Sequence, residues 1–154
     1  TPPAFAARID RRPVLCNMKK PLLIIIAILA AAAFAGAQTI EDSSRRTIGY
    51  ISSSGTVEDS SRRTLGYISS SGTVEDSSRR TIGYLTKNGT VENSSRSTIG
   101  YINSNGTVEN SSRSTIGYVN SNGTVEDSSR RTIGYAKDVD QRHAALFFFF
   151  FFRK

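Results

Sequence analysis

Six arginines recur at intervals of 17 residues and are the side chains best spaced to form a binding site. They are Arg45, Arg62, Arg79, Arg96, Arg113 and Arg130. Guanidinium groups bind carboxylates and phosphates through paired N–H donors. A ring with one arginine per repeat would therefore suit an anionic surface glycan or polymer. The alternative interpretation is a solvated face on which neighbouring Glu and Asp neutralise these charges.

Other titratable and nucleophilic side chains lack a pattern typical of catalysis. The chain has one His, His143, next to Arg142 at the border of an apolar run, and one Cys, Cys16. Serines are numerous, but none lies in a G-x-S-x-G elbow, and one His cannot serve six repeated sites. The adjacent Glu-Asp pairs would point to opposite faces of a strand. We therefore predict no enzyme, no metal site and no cofactor.

The net charge argues against nucleic acid as a partner. The formal charge is +7 for the whole chain but only +3 for residues 38–154. A nucleic-acid-binding surface normally carries a strong basic patch. The sequence does not identify the partner, and a cell-surface polymer or a protein both remain open.

Residues 18–37 have the pattern of a bacterial secretory signal peptide. Lys19 and Lys20 precede an apolar stretch, and Ala-Gly-Ala at 35–37 forms a cleavage site before Gln38. A retained membrane anchor is the alternative, although the apolar run is shorter than the ~20 residues of a spanning helix. We expect export across the inner membrane, to the periplasm, the outer surface or the medium.

Residues 1–17 come before the only Met, Met18, and show no periodicity. We interpret them as translated upstream leader sequence. The mature domain is then predicted to span residues 38–154.

A 17-residue repeat dominates that domain. Its copies begin at Thr39, Thr56, Thr73, Thr90, Thr107 and Thr124. Each reads T-[IV]-E-[DN]-S-S-R-[RS]-T-[IL]-G-Y, followed in the first five copies by a stretch that ends in Gly. Every copy contains a Gly-Tyr pair, which we predict to be structural, at Gly49-Tyr50, Gly66-Tyr67, Gly83-Tyr84, Gly100-Tyr101, Gly117-Tyr118 and Gly134-Tyr135.

Each unit is predicted to form two short strands. The stretches T-I-G-Y-I and T-V-E are rich in β-branched and aromatic residues, which favour strands. Asn88-Gly89, Asn105-Gly106 and Asn122-Gly123 predict type I′ hairpin turns. The polar E-D-S-S-R-R stretch predicts a second turn.

The units are too poor in hydrophobic residues to be stable singly, so they must bury one another's faces. We predict one all-β domain that contains five repeated hairpins in a radial, flower-like or meandering arrangement. A β-solenoid with one rung per 17 residues is the alternative.

The C-terminal tail consists of Ala-Ala-Leu followed by six Phe at 147–152. We predict a strand packed inside the domain, with Phe147, Phe149 and Phe151 as structural residues. Two alternatives remain open: the tail docks on a membrane or partner, or it is an aggregation-prone end.

The second turn shows a correlation of charges. Copies with Asp at its start continue with Arg-Arg, whereas the copies with Asn93 and Asn110 continue with Arg-Ser. Our hypothesis is that Asp59 and Arg63, and their equivalents, are in contact. Duplication of one copy from another would also explain the pattern.

The Lys-Lys segment ending in Ala-Gln-Thr, the repeats TVENSSRSTIGYI and TIGYAK, and the Ala-Ala-Leu-Phe tail resemble the small secreted 5-fold β-flower proteins of Gram-negative bacteria. The resemblance covers residues 18–154. It implies hairpin petals around an axis, with no established activity and no catalytic residues to transfer. The chain departs from the pattern in having six Gly-Tyr units and a long Phe run. We expect a secreted, non-catalytic structural or interaction protein, with anionic-polymer binding as the alternative.

Overall fold

The computed structural model describes residues 38–153, which form twelve antiparallel strands and a short helical tail. The odd-numbered strands are β1 Thr39–Asp42, β3 Thr56–Asp59, β5 Thr73–Asp76, β7 Thr90–Asn93, β9 Thr107–Asn110 and β11 Thr124–Asp127. The even-numbered strands are β2 Thr47–Ile51, β4 Thr64–Ile68, β6 Thr81–Leu85, β8 Thr98–Ile102, β10 Thr115–Val119 and β12 Thr132–Lys137. The predicted leader and signal peptide, residues 1–37, lie outside the described residues.

The strands pair in sequence order, and β12 pairs with β1 to close a barrel. Closure removes the free edges at which sheets aggregate. Pairing between successive strands is antiparallel throughout, so the β-solenoid alternative is wrong. The prediction of an all-β fold from repeated hairpins is confirmed, and six units close the ring. Each odd-numbered strand forms a bulged pair with the even-numbered strand that follows it. In the first of these pairs, Ile48 has no partner between the pairs Glu41–Thr47 and Ile40–Gly49.

The two kinds of turn share one backbone design. In the Gly turns, which join even to odd strands at residues 52–55, 69–72, 86–89, 103–106 and 120–123, the last residue is Gly at positive φ. In the first of them the Gly55 N–H donates to the Ser52 carbonyl at 2.9 Å. In the Arg turns, which join odd to even strands, Arg45 and its equivalents take the same place at φ 63–65°. This is a type I turn followed by a left-handed residue. The type I′ prediction is wrong, because Asn88, Asn105 and Asn122 do not have positive φ.

The barrel's own core is one ring of aliphatic side chains close to the Gly turns. It consists of Ile40, Ile51, Val57, Ile68, Val74, Leu85, Val91, Ile102, Val108, Val119, Val125 and Ala136, all buried. Eight strands already enclose a lumen that side chains just fill. Twelve strands with such small side chains leave room that the tail occupies. Val119 and Ala136 are the smallest even-strand members, and the tail helix packs against β10, which ends at Val119.

The tail inside the barrel is helical, which corrects the predicted strand. Helix α1, Gln141–Ala145, continues directly into a π-helix, Leu146–Phe151. Residues 144–148 are buried and the remaining Phe side chains are half-buried. A closed barrel offers no edge with which a central strand could pair. A buried strand would leave its N–H and C=O groups unsatisfied, whereas a helix satisfies them internally.

Candidate functional site

Each arginine of the predicted ring lies on the outer wall and bridges two units. The Cζ atom of Arg62 lies 3.4 Å from the ring centre of Tyr50, which belongs to the preceding unit. Its Nη1 atom donates to Glu58 Oε2 at 3.0 Å within its own unit. The same arrangement recurs six times, and Arg45 stacks on Tyr135 across the closing pair of strands. We call these six Glu–Arg–Tyr clusters the arginine belt.

The belt arginines are held by packing and by charge at once. A guanidinium over an aromatic ring is attracted by the ring's negative face. The Arg–Glu pairs span 3.0–3.4 Å, and the arginine side chains keep 55–66% of their surface exposed. The belt therefore clamps neighbouring units together while presenting only the partly neutralised edges of its cations to solvent.

The backbone conformation adds a reason for a long side chain at this position. A left-handed residue other than Gly costs roughly 1 kcal/mol. The turn nevertheless uses Arg in all six units, at φ 63–65°. From this position the Arg side chain reaches the neighbouring Tyr, and the stacking offsets the strain.

We predict that Arg113→Ala destabilises the protein by about 1 kcal/mol. The substitution removes the stacking on Tyr101, worth about 0.5–1 kcal/mol at an exposed site, and the pair with Glu109. It also keeps the left-handed strain, so Arg113→Gly should cost less. Urea unfolding measures both values. An unchanged cost of Arg113→Ala in a Tyr101→Leu background would contradict the stacking.

A second row of arginines lies further out on the same turns. Arg46, Arg63, Arg80 and Arg131 contact Asp42, Asp59, Asp76 and Asp127 at 2.9–3.1 Å. The predicted contact between the charged turn residues is thus confirmed. These arginine side chains are 80–82% exposed. The two units with Asn have Ser97 and Ser114 in place of the second arginine.

The Asp side chain does more than pair with arginine. Asp59 Oδ1 accepts the N–H groups of Ser61 and Arg63 at 2.8 and 3.0 Å, and Asn93 makes the same two bonds in its unit. The Arg63 N–H is the main cause that holds the pKa of Asp59 below its usual value. Asn can therefore preserve the turn, and only the contact with the second arginine is lost.

We predict that Asp59→Asn lowers the melting temperature more in the wild-type background than in an Arg63→Ser background. The effect should be present above about pH 4, the ordinary Asp pKa. It should disappear as the pH falls through the lowered pKa of the folded state, since protonation removes the charge. Thermal melts of the four chains between pH 2 and pH 7 measure this coupling. Equal effects in both backgrounds would instead support duplication as the cause of the pattern.

The lumen contains a second repeated cluster, made by the glycines of the Gly-Tyr pairs. Each glycine has the ring of a different tail Phe against its backbone. The pairs are Gly49–Phe147, Gly66–Phe152, Gly83–Phe151, Gly100–Phe150, Gly117–Phe149 and Gly134–Phe148. All six Phe rings contact a glycine, whereas the sequence predicted a structural role only for Phe147, Phe149 and Phe151. A strand would have sent alternate rings to one side, but the helical turn sends them in all directions.

The mouth at the Gly turns is polar and is where the tail enters the lumen. Arg142 Nη2 donates to the Thr86 and Lys87 carbonyls at 2.7 and 3.2 Å, and Gln141 donates to the Val119 carbonyl. Burial is the main cause that lowers the pKa of His143 below its usual value, which favours the neutral form of this side chain at the border of the apolar run. Grooves of about 560, 480 and 300 Å³ lie between the tail and neighbouring turns.

Sequence reasoning missed the contacts between units. Tyr was predicted to be structural, but its pairing with the arginine of the next unit was not. The shared 17-residue period of Glu, Arg and Tyr is the signal that could have indicated it. Nothing in the sequence indicated the anchoring role of Gln141 and Arg142.

The described residues hold no cluster of three metal-ligating side chains. Within residues 38–153, no helix has both the length and the hydrophobicity needed to cross a bilayer.

The fold and the repeated clusters define a closed β-barrel of hairpin petals filled by the chain's own tail. Comparison with protein families matches residues 37–152 to the 5-fold beta-flower protein family. The chain belongs to this family. No curated protein and no solved structure matches the chain. The family description specifies five-fold symmetry, whereas this barrel has six units.

Proposed function

We propose that the protein is an exported, non-catalytic structural or interaction module that contacts its partner through the mouth formed by the Gly turns. The observation that carries this proposal is that the charged side chains on the outer surface of the barrel are already paired with one another. Each belt arginine is stacked on Tyr and paired with Glu, so the charged groups of the outer surface interact with other residues of the barrel. The mouth differs, because its side chains surround grooves and point away from the core.

The chemistry of this mouth suits a polar partner with little charge. The five Gly turns carry Ser, Thr and Asn, with Lys87 as their single charged residue. The side chain at the second position of each turn is exposed. Hydroxyl and amide groups both donate and accept hydrogen bonds. A surface polysaccharide or an exposed protein backbone would offer matching groups.

The position of the first strand supports export. The barrel begins at Thr39, and the Gln38 carbonyl accepts the Ile51 N–H at 3.0 Å. Cleavage after Ala37 would therefore leave every barrel strand in place. Expression in a Gram-negative host, osmotic-shock fractionation and mass spectrometry test this step. We expect a chain that begins at Gln38 outside the cytoplasm, and an uncleaved cytoplasmic chain would contradict export.

The contact surface is tested with two variants of matched charge, one at the Gly turns and one at the Arg turns. One variant replaces Ser53, Ser70, Ser104 and Ser121 of the Gly turns by Glu and Lys87 by Gln, so that its net charge changes by the same amount as in the control. Its control replaces Ser43, Ser60, Ser77, Ser94 and Ser111, the corresponding exposed residues of the Arg turns, by Glu. We expect only the first variant to lose cosedimentation with purified cell-envelope polysaccharide or outer-surface protein. Loss in the control alone, or in neither, would contradict the proposed surface.

A second candidate function is binding of an anionic polymer by the arginine belt. The observation that favours it is the 55–66% exposure of the belt side chains, arranged around the whole wall. This function requires retention on heparin that weakens with salt. Belt substitutions Arg→Ser should abolish retention, whereas Arg→Ser at Arg46, Arg63, Arg80 and Arg131 should not. Equal losses in both sets would indicate a non-specific effect of charge.

A further inference from the structure

The six tail Phe and the six lumen glycines correspond one to one around the barrel. Phe147 contacts the first unit, Phe148 the sixth, Phe149 the fifth, and the series continues backward to Phe152 at the second unit. Each step along the tail therefore moves by one unit around the ring. Six residues complete one circuit, and the N–H groups of Phe152 and Arg153 both donate to the Phe147 carbonyl.

The helical conformation of the tail fits this count. An α-helix turns about 100° per residue, so successive side chains would skip units of a six-membered ring. The wider π-helix, Leu146–Phe151, turns less per residue. This wider turn brings the rotation per residue closer to the ~60° between neighbouring units of a six-membered ring than an α-helix would.

At each glycine there is space for one Phe ring but not for a side chain on the glycine itself. A Cβ atom on Gly134 would lie 2.5 Å from Cε1 of Phe148 and 2.5 Å from the Glu41 carbonyl oxygen. The Phe ring therefore fills the space that a side chain would otherwise take. A missing Phe would leave one position empty, and an extra Phe would have no position to occupy.

The wall by itself does not determine how many units close the ring. The units are nearly identical in sequence, and β12 pairs with β1 in the same register as β2 pairs with β3. In repeat proteins each unit contacts only its neighbours, so the sequence of one unit does not specify the total number of units. The tail is the part of the core that lies outside the 17-residue repeat from which the strands are built.

We propose that the number of consecutive Phe residues at 147–152 sets the number of petals with which the barrel closes. The inference does not rest on the proposed function. The sixth unit is the feature in which this barrel departs from the five-fold family description, and each unit has its own Phe ring. The Phe run is then the internal template of the barrel.

Three deletions in the full chain test the proposal. The first removes residues 90–106, whose neighbouring unit, 107–123, differs from it only at Ile102 and Val119. The second removes one Phe, and any Phe of the run yields the same sequence. The third removes both. We expect each single deletion to lower the melting temperature by about 10 °C or more, because a ring or a position is left unmatched. The double deletion should melt closer to the wild type than either single deletion does.

Additive losses in the double deletion would overturn the proposal. Because a five-unit barrel could fail to fold for other reasons, a seven-unit series provides a second test. Duplication of residues 107–123 is compared with six and with seven Phe in the tail. Higher melting temperature and soluble monomer yield with seven Phe support the template. Equal or lower values with seven Phe overturn it.

Discussion

Termination of the chain after Val139 is expected to abolish the cooperative unfolding transition. The truncation removes α1 and the π-helix, including residues 144–148, which are all buried. Replacing a single buried Phe by Ala costs about 3–5 kcal/mol, and a small domain has about 5–15 kcal/mol in total. The aliphatic ring of the barrel would then line a water-filled lumen. Near-ultraviolet circular dichroism of the tyrosines during heating measures the transition.

A shorter truncation provides the control for this experiment. Removal of Arg153 and Lys154 alone leaves all six Phe in place and should shift the melting temperature by only a few degrees. Increased binding of a hydrophobic dye by the longer truncation would report the opened lumen. A monomeric chain that ends at Val139 and melts at the wild-type temperature would contradict the role of the tail.

Gly134→Val is expected to destabilise the barrel by about 3 kcal/mol, the upper part of the range for overpacked cores. Its Cβ atom would lie 2.5 Å from both the Glu41 carbonyl oxygen and the Phe148 ring. The ring could shift, but the carbonyl belongs to the closing strand β1, which pairs on both sides. Neither neighbour can move without loss of hydrogen bonds or packing. Urea unfolding of the variant measures the cost.

Two comparisons make this result specific. Gly49→Ala should cost less than Gly134→Ala, because its Cβ atom would lie 3.1 Å rather than 2.5 Å from the nearest atom of its Phe ring. Ser128→Ala, at an exposed turn position, should stay within about 0.5 kcal/mol of the wild type. If Gly134→Val resembled Ser128→Ala, the close contact of ring and backbone would be refuted.

Much of the wall was predictable because it is encoded locally and repeated. Alternation around Gly-Tyr places Gly49 and Ile51 inside and Tyr50 outside, as a two-residue period requires. The turns were also located correctly, since Gly55 and the polar stretch around Asp42 are typical turn sequences. The turn type was not, because an Asn-Gly pair fits both a two-residue turn and a longer one in which only Gly has positive φ.

The arginine belt was predictable only in part. The period places one arginine in each unit, but stacking of Arg62 on Tyr50 depends on how adjacent hairpins align. That alignment is a property of the sheet register and of the bulge at Ile48, neither of which is evident from a single unit.

The amino-acid sequence alone determined the repeat, the strands and the positions of the turns, because these depend on side-chain preferences within a few residues. Only the tertiary structure decided that the strands close into a ring of six units and that the tail is helical. The physical reason is closure itself. Once every strand edge is paired, an apolar segment in the lumen must form the hydrogen bonds of its backbone N–H and C=O groups within itself. Its side chains must also contact all six units around it.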